Sequence, residues 1–421
     1  MSKPHALVVG ASIAGPMTAY WLAKAGFRIT VIERFPKFRP GGQNIDIRTS
    51  GVTVMHKIPG MEPAVRAKII PQDSIQFVNS KGKPYATMKP TGDPNQQNLI
   101  SEYEIFRDDL SKILYDLTKD NPNVRYVFGE QVSAIHQEEK GKVTVEFQEG
   151  KLSRQDYDLV VACDGATSRT RALGFDSTVR THMHPMNMWC AYASVPTDYL
   201  NGSKAATMYG SIGGRAVAFG PDPTGGNRVC ALAVLPQKEV DATLPFRKAQ
   251  KEGDDALRKY VGQHFASVGW KTADEVVQAL TAAPDFYASE NVQIKLPSLS
   301  RGRFTLVGDA GYAAGPTGGG TTLAMTGGYV LAGELLRHKG DIDAGLSAYE
   351  AIMRPVIDDM QRIPPGVPTA IAPQTWWGIA IRDAVLVAVT WGNAMFGWVL
   401  KYLAPSFGGD NYNLPEYEWV E

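Results

Sequence analysis

The sequence predicts an α/β protein in which a nucleotide-binding parallel sheet is interleaved with a β-rich domain and followed by a helical C-terminal segment. Three observations carry this. An apolar strand, a glycine turn, a helix and a second apolar strand open the chain, the order of a β-α-β unit. Two later apolar runs, residues 159–163 and 304–307, each end in an acid-and-glycine turn. Between about 185 and 235 the pattern changes to longer strands broken by Gly, Pro and Asn.

Residues 5–9 are apolar without alternation, as a strand buried on both faces requires. Residues 14–25 follow a helical pattern with small residues at the start, and Gly26 ends it. Residues 27–32 form a second β-branched run, closed by Glu33 and Arg34. A Pro/Gly-rich stretch, 36–42, precedes extended residues 43–48. Residues 73–89 read as two strands around the turn 80–83. Residues 103–119 read as a helix with Phe106, Leu110, Ile113, Leu114 and Leu117 on one stripe. Strands follow at 124–128, 132–136, 143–147 and 159–163, helices at 246–266 and 273–281, a strand at 304–307 and a helix near 321–338. This assigns 1–72, 100–180 and 290–365 to the nucleotide domain, 73–99 and 181–289 to the β-rich domain, and 366–421 to the C-terminal segment.

Composition narrows the partners. The 421 residues carry 43 basic and 43 acidic side chains, so no overall basic excess points to nucleic acid or an anionic membrane. Hydrophobic residues at 44% are too many for a disordered chain. Glycine, at 42 residues, is in excess. Three separated cysteines, Cys163, Cys190 and Cys230, give no disulfide framework or metal motif and read as reduced buried thiols. Seven histidines show no helical metal-ligand spacing, and the adjacent pair His182 and His184 reads as structural, so no metal is expected. No secretory signal is visible, which suggests a cytoplasmic protein. The apolar stretch 384–400 contains Thr390, Gly392 and Asn393, and reads as a packed helix sooner than a membrane span; a peripheral membrane contact stays open.

Three motifs carry chemistry. Gly10-Ala11-Ser12-Ile13-Ala14-Gly15 joins strand to helix where a Rossmann-like domain binds a dinucleotide pyrophosphate. Ser12 stands where a glycine is usual, and Glu33 ends the next strand where a carboxylate accepts from ribose hydroxyls. The second motif runs from Asp158 through Asp164-Gly165 to Ser168 and Arg171. In the third, an apolar strand delivers Asp309 to the loop Pro316-Thr317-Gly318-Gly319-Gly320-Thr321-Thr322. Backbone N–H groups at the start of the following helix can face negative charge on a cofactor ring. The plain readings are tight turns and a flexible loop.

These motifs in this order resemble the FAD-dependent aromatic hydroxylases, the p-hydroxybenzoate hydroxylase-like flavoprotein monooxygenases, over most of residues 1–365. The opening motif and Gly41-Gly42-Gln43-Asn44-Ile45-Asp46 look closest to the tetracycline-inactivating and fungal secondary-metabolite branch. The resemblance implies FAD pyrophosphate at Ser12, Ile13, Ala14 and Gly15, and ribose at Glu33 with Arg34 beside it. It also implies flavin contacts from Asp46 and Arg107, and a shared FAD and NAD(P)H role for Asp164. Asp309 matches the ribityl ligand, Pro316 the proline beside the ring, and Gly318, Gly319, Gly320 and Thr322 the backbone at its pyrimidine edge. Two departures are Ala162, where the family usually has glycine, and Ala310-Gly311-Tyr312, where it has Ala-Ala-His.

The implied activity uses NADPH or NADH and O₂ to hydroxylate or epoxidise an aromatic or polyketide-like small molecule through a flavin C4a-(hydro)peroxide. Tyr192 and Arg215 are the catalytic candidates, as stabilisers of a substrate phenolate or enolate. Trp189, Tyr192, Met208 and Phe219 are candidate substrate walls, with sheet core as the plain alternative. Arg39 is a candidate for placing NAD(P)H, with a solvated arginine as its alternative. Baeyer–Villiger ring expansion, dehydrogenation and, more remotely, a membrane-attached non-enzymatic protein are the rival readings. A halogenase would carry Trp-x-Trp-x-Ile-Pro, which Trp376-Trp377-Gly378 does not match. A monomer or homodimer is expected.

Overall fold

The computed structural model describes residues 3–38, 42–90, 101–137, 141–391 and 412–420. Its first sheet has six strands in the order Ser300–Arg301, Phe304–Leu306, Leu159–Ala162, His5–Val9, Arg28–Glu33 and Val124–Phe128. All neighbours are parallel except the first pair. Val8, Val31 and Val161 share a register row and are each fully buried, which is why these strands read as unbroken apolar runs. One face is covered by helices Ala14–Lys24 and Gly320–Arg337. A Cβ at Gly328 would lie 3.1 Å from the Thr18 backbone nitrogen, so glycine sets how closely those helices approach. The other face packs on a three-stranded antiparallel sheet, Val132–Gln137, Val143–Phe147 and Gln155–Tyr157.

The second sheet has seven strands in the order Tyr287–Ile294, Met183–Val195, Asn227–Val234, Arg215–Pro221, Ala205–Ser211, Ser74–Val78 and Pro84–Met88. Helices Leu244–Glu252, Asp254–His264 and Lys271–Ala282 cover one of its faces. The helix expected over 246–266 is therefore two, divided at Gly253, whose φ of 114° ends the first.

The helix expected over 103–119 begins as a strand. Glu104–Phe106 pairs antiparallel with Asn44–Asp46, with Ile45 opposite Ile105, and only then does helix Arg107–Asp116 start. Ile105 is fully buried and neighbours alternate in face, so period two prevails here over the helical stripe that included Phe106.

Helices Ile342–Met360 and Trp376–Trp391 follow the third motif in the chain. Residues 412–420 then return as a strap over the first helix. Trp419 lies 4.6 Å from Trp21, Tyr329 Oη donates to the Pro415 carbonyl, and the Val420 N–H donates to Lys24. Of the apolar stretch 384–400, residues 392–400 lie outside the described residues, as do Arg39 and Gly41. Among the described residues, no helix is long and apolar enough to cross a membrane.

Candidate active site

The seven-stranded sheet meets the segments around the motifs through Arg228, over the Phe106 ring, and through Gln293, which donates to the Ala314 carbonyl. Gly10 adopts φ 107°, and a Cβ there would meet the Cys163 carbonyl oxygen at 2.7 Å. A Cβ at Gly15 would lie 1.8 Å from the Gly10 carbonyl oxygen. A Cβ at Gly308 would lie 2.9 Å from that of Ala14. Three motifs distant in sequence thus meet at one point, and glycine is what lets them do so.

Side chains lock this junction. Glu33 accepts the Ala11 N–H at 3.0 Å and the Phe35 N–H at 3.0 Å, tying the phosphate turn to the end of the second strand. Arg34 lies over the Phe35 ring, and Ser12 Oγ meets Ser111 Oγ at 3.2 Å. Asp164 accepts from Ser168 Oγ and from Thr170 Oγ1; burial raises its carboxyl, and those donors oppose the rise. Arg171 is fully buried and donates to the carbonyls of Ala310, Ala166 and Val179, so it staples the second motif to the third.

Asp309 and Arg107 converge from different elements. Solvent reaches Asp309, yet protein surrounds it closely enough for desolvation to raise its carboxyl, with Arg107 opposing. A Cβ on Gly42 would sit 3.1 Å from Arg107 Nε. That Nε and the neighbouring Gln43 Oε1 are buried without a hydrogen-bond partner among the described residues. Unmet buried polar atoms are costly, so their presence around a glycine-lined groove fits a polar ligand lying there. Beyond Gly315 and Gly318, both at positive φ, Gly319 and Gly320 lead into the long helix, and Gly320 faces Asp309. The side chain of Thr322 is spent elsewhere: it exchanges hydrogen bonds with the Arg48 N–H and carbonyl, leaving only its backbone for the groove.

Glu104, which sequence reasoning missed, pairs with the expected Asp46 beside this groove. Asp46 stands directly opposite Glu104 across the two-stranded pairing. Arg48 binds Asp46 at 2.9 Å, and Asn44 donates to Glu104 at 3.0 Å. Burial raises both acids, Glu104 to about 7, and the neighbouring Asp46 charge adds to its rise. The signal was the alternation Asp46-x-Arg48 against Glu104-x-Phe106, hidden while 103–119 was read as helix. Phe106 lies under Arg228 of the second sheet, 4.1 Å from its ring, so this edge faces that sheet.

The second sheet presents two unlike faces. Trp189, Ala191 and Ala193 of the strand Met183–Val195 turn to the helices, whereas Met188, Cys190 and Tyr192 turn the other way. Tyr192 pairs with Cys230, and its hydroxyl contacts Cys190; burial holds the phenol well above its ordinary range, so it remains a donor. Met208 lies on the same face. Gln293 ties this sheet to the cofactor loop by donating to the Ala314 and Gln361 carbonyls, and Met186 abuts Gly315 just before Pro316.

Three sequence candidates are not on that face. Trp189 is fully buried and stacked on Phe246 at 5.1 Å. Phe219 is buried against Trp270 and Tyr199. Arg215 donates to the Ile212, His264 and Ala266 carbonyls, which holds its guanidinium against the helices. All three belong to the helix-side core and its edge, not to the cleft.

The comparisons agree with this arrangement. A family described as FAD binding domain matches residues 3–363. Monooxygenase CTB7 of Cercospora beticola is 32% identical over 99% of this chain and 98% of its own. FAD-dependent monooxygenase asL4 of Sarocladium schorii is 30% identical over 99% of both chains. Among solved structures, tetracycline destructase Tet(51) superposes with TM-score 0.76 at 24% identity, covering 99% of this chain and 100% of that one, a likeness of fold. The FAD and uric acid complex of Klebsiella pneumoniae HpxO gives 0.70 at 21% identity, covering 96% of each. The chain belongs to the FAD-dependent monooxygenases and is an oxidoreductase.

Proposed function

We propose that this oxidoreductase takes electrons from NADPH or NADH and uses O₂ to hydroxylate or epoxidise an aromatic or polyketide-like small molecule. One oxygen atom enters the substrate and the other leaves as water. The observation that carries this reading is the meeting of two surfaces: a glycine-lined groove with Arg107, Asp309 and Asp164, and an apolar sheet face bearing Tyr192 and Met208.

FAD, when bound, supplies electron transfer and oxygen activation; the chain supplies binding, orientation and exclusion of water. In this reading Ser12, Ile13, Ala14 and Gly15 hold the pyrophosphate against the start of the first helix. Glu33 and Arg34 lie at the ribose, Asp309 at the polyol chain, and Asp46 and Arg107 at the ring. Pro316, Gly319, Gly320 and the Thr322 backbone border the ring edge. Tyr192, kept neutral by burial, donates a hydrogen bond to a substrate oxygen, where it stabilises developing phenolate or enolate charge. Arg215 takes no part.

The test is the absorption spectrum of purified protein, followed by NAD(P)H oxidation with and without small phenols and polyketides under O₂. Flavin colour and substrate-stimulated oxidation with an oxygenated product are expected. A colourless protein that does not retain added FAD would overturn the reading.

A further inference from the structure

Four of the seven exposed large apolar side chains among the described residues gather at one end of the second sheet: Ile212, Trp376, Trp377 and Ile381. Ile212 lies at the tip of the turn between Ala205–Ser211 and Arg215–Pro221. The lead-in to the C-terminal helix is fixed to that turn, because Gly213 and Gly214 donate to the Gln374 and Pro373 carbonyls at 3.0 and 3.1 Å. Turn and helix therefore form one continuous surface.

The helix Trp376–Trp391 is inside out compared with an ordinary surface helix. Its exposed positions, Trp376, Trp377, Ala380, Ile381, Ala384 and Ala388, are all apolar. Its only charges, Arg382 and Asp383, are partly buried, paired at 2.7 Å, with Asp383 accepting from Tyr85 at 2.6 Å. Its described part is 16 residues, and among the described residues no helix is long and apolar enough to cross a membrane.

Positive charge rims the same end. Strand Ala205–Ser211 runs parallel to Ser74–Val78, so the turn carrying exposed Lys81 and Lys83 emerges beside Ile212. Trp270 packs under Gly82 of that turn, and the next residue, Lys271, is exposed. Arg215 reaches the Ile212 carbonyl. Two acids nearby offset part of this: Asp274 accepts the Val268 N–H, and Glu275 pairs with Lys271 at 3.7 Å, which leaves Lys81, Lys83 and Arg215 as the rim's excess cations. A balanced net charge thus conceals a local basic rim.

We propose that this surface docks on an anionic lipid bilayer, with the helix lying in the interface and not crossing it. The chemistry selects lipid: indoles favour the headgroup level, an uncharged stripe enters the acyl boundary, and lysines meet anionic headgroups. A second copy fits less well, because a two-fold contact would set the lysine rims against each other.

The test uses the full FAD-loaded chain and flotation with vesicles of phosphatidylcholine alone or mixed with phosphatidylserine. The protein floats with the mixed vesicles and much less with phosphatidylcholine. The variant Trp376→Ser/Trp377→Ser/Ile381→Ser loses at least about tenfold in vesicle partition while keeping its flavin absorbance and melting temperature. Lys81→Glu/Lys83→Glu removes the preference for phosphatidylserine. Failure of the native protein to float overturns the proposal, as does equal flotation of the triple variant. A concentration-dependent dimer that the triple variant abolishes, without vesicle binding, overturns it in favour of a second copy. Flotation does not read turnover, so the result stands apart from the proposed oxygenation.

Discussion

The glycine-lined groove and the seven-stranded sheet are built on opposite principles. In the groove the decisive residues have no side chain: Gly10, Gly15 and Gly308 each sit where a Cβ would strike a neighbouring segment. In the sheet the decisive variable is which way a side chain points. Trp189 and Tyr192 lie on one strand, yet one builds the core beneath the helices and the other turns to the opposite face. A groove of this kind tolerates no added atom, whereas a sheet face tolerates change according to which side receives it.

The sharpest way to break that contrast is Gly15→Ala. Its methyl group would lie 1.8 Å from the Gly10 carbonyl oxygen, so the turn must open, and retained flavin per protein is expected to fall to near zero. Stoichiometric FAD in the purified variant would show that the turn is not the anchor. On the sheet, Trp189→Ala should cost about 3–5 kcal/mol in urea unfolding, because a fully buried indole leaves a cavity among Phe246, Phe265 and Tyr260.

A third prediction concerns the acid pair. Glu104, raised from 4.5 to about 7, binds a proton more tightly folded than unfolded. Its contribution is full below about pH 4.5 and is lost as pH rises through 7, with a slope of up to about 1.4 kcal/mol per pH unit. Melts of flavin-free protein across that window should show the decline, and Glu104→Gln should flatten it; unchanged slopes would remove the pair from the cleft's electrostatics. Arg215→Ala should cost about 1–2 kcal/mol from lost carbonyl contacts and leave substrate KM unchanged. A KM shift would return it to the site. Smallest in stability is Tyr192→Phe, within about 1 kcal/mol. Product formed per NAD(P)H consumed should nevertheless drop severalfold, and full coupling would leave the hydroxyl without a role.

The same contrast explains what the sequence revealed. The three motifs were legible because a positive φ, a close approach or a strand-end acid leaves its mark within a few residues. Face assignment on a strand needs a phase that no single residue carries. Trp189 and Tyr192 are three positions apart, so one regular strand cannot turn both toward a substrate. Met208 and Phe219 likewise cannot share a face, since Phe219 pairs with Thr207, the neighbour of Met208. Glu104 stayed hidden because its register with Asp46 is a long-range fact, decided by the burial of Ile105 against a pattern that also suits a helix.

The strap 412–420 gives the molecule a temporal order. The first glycine turn is made long before the strap, and Trp21 on the helix behind it is covered by Trp419. The Lys24 carbonyl near the end of that helix likewise waits for Val420. A nascent chain holds the first motif long before it can close the layer behind it. Truncation before residue 412 would therefore leave the first helix partly uncovered.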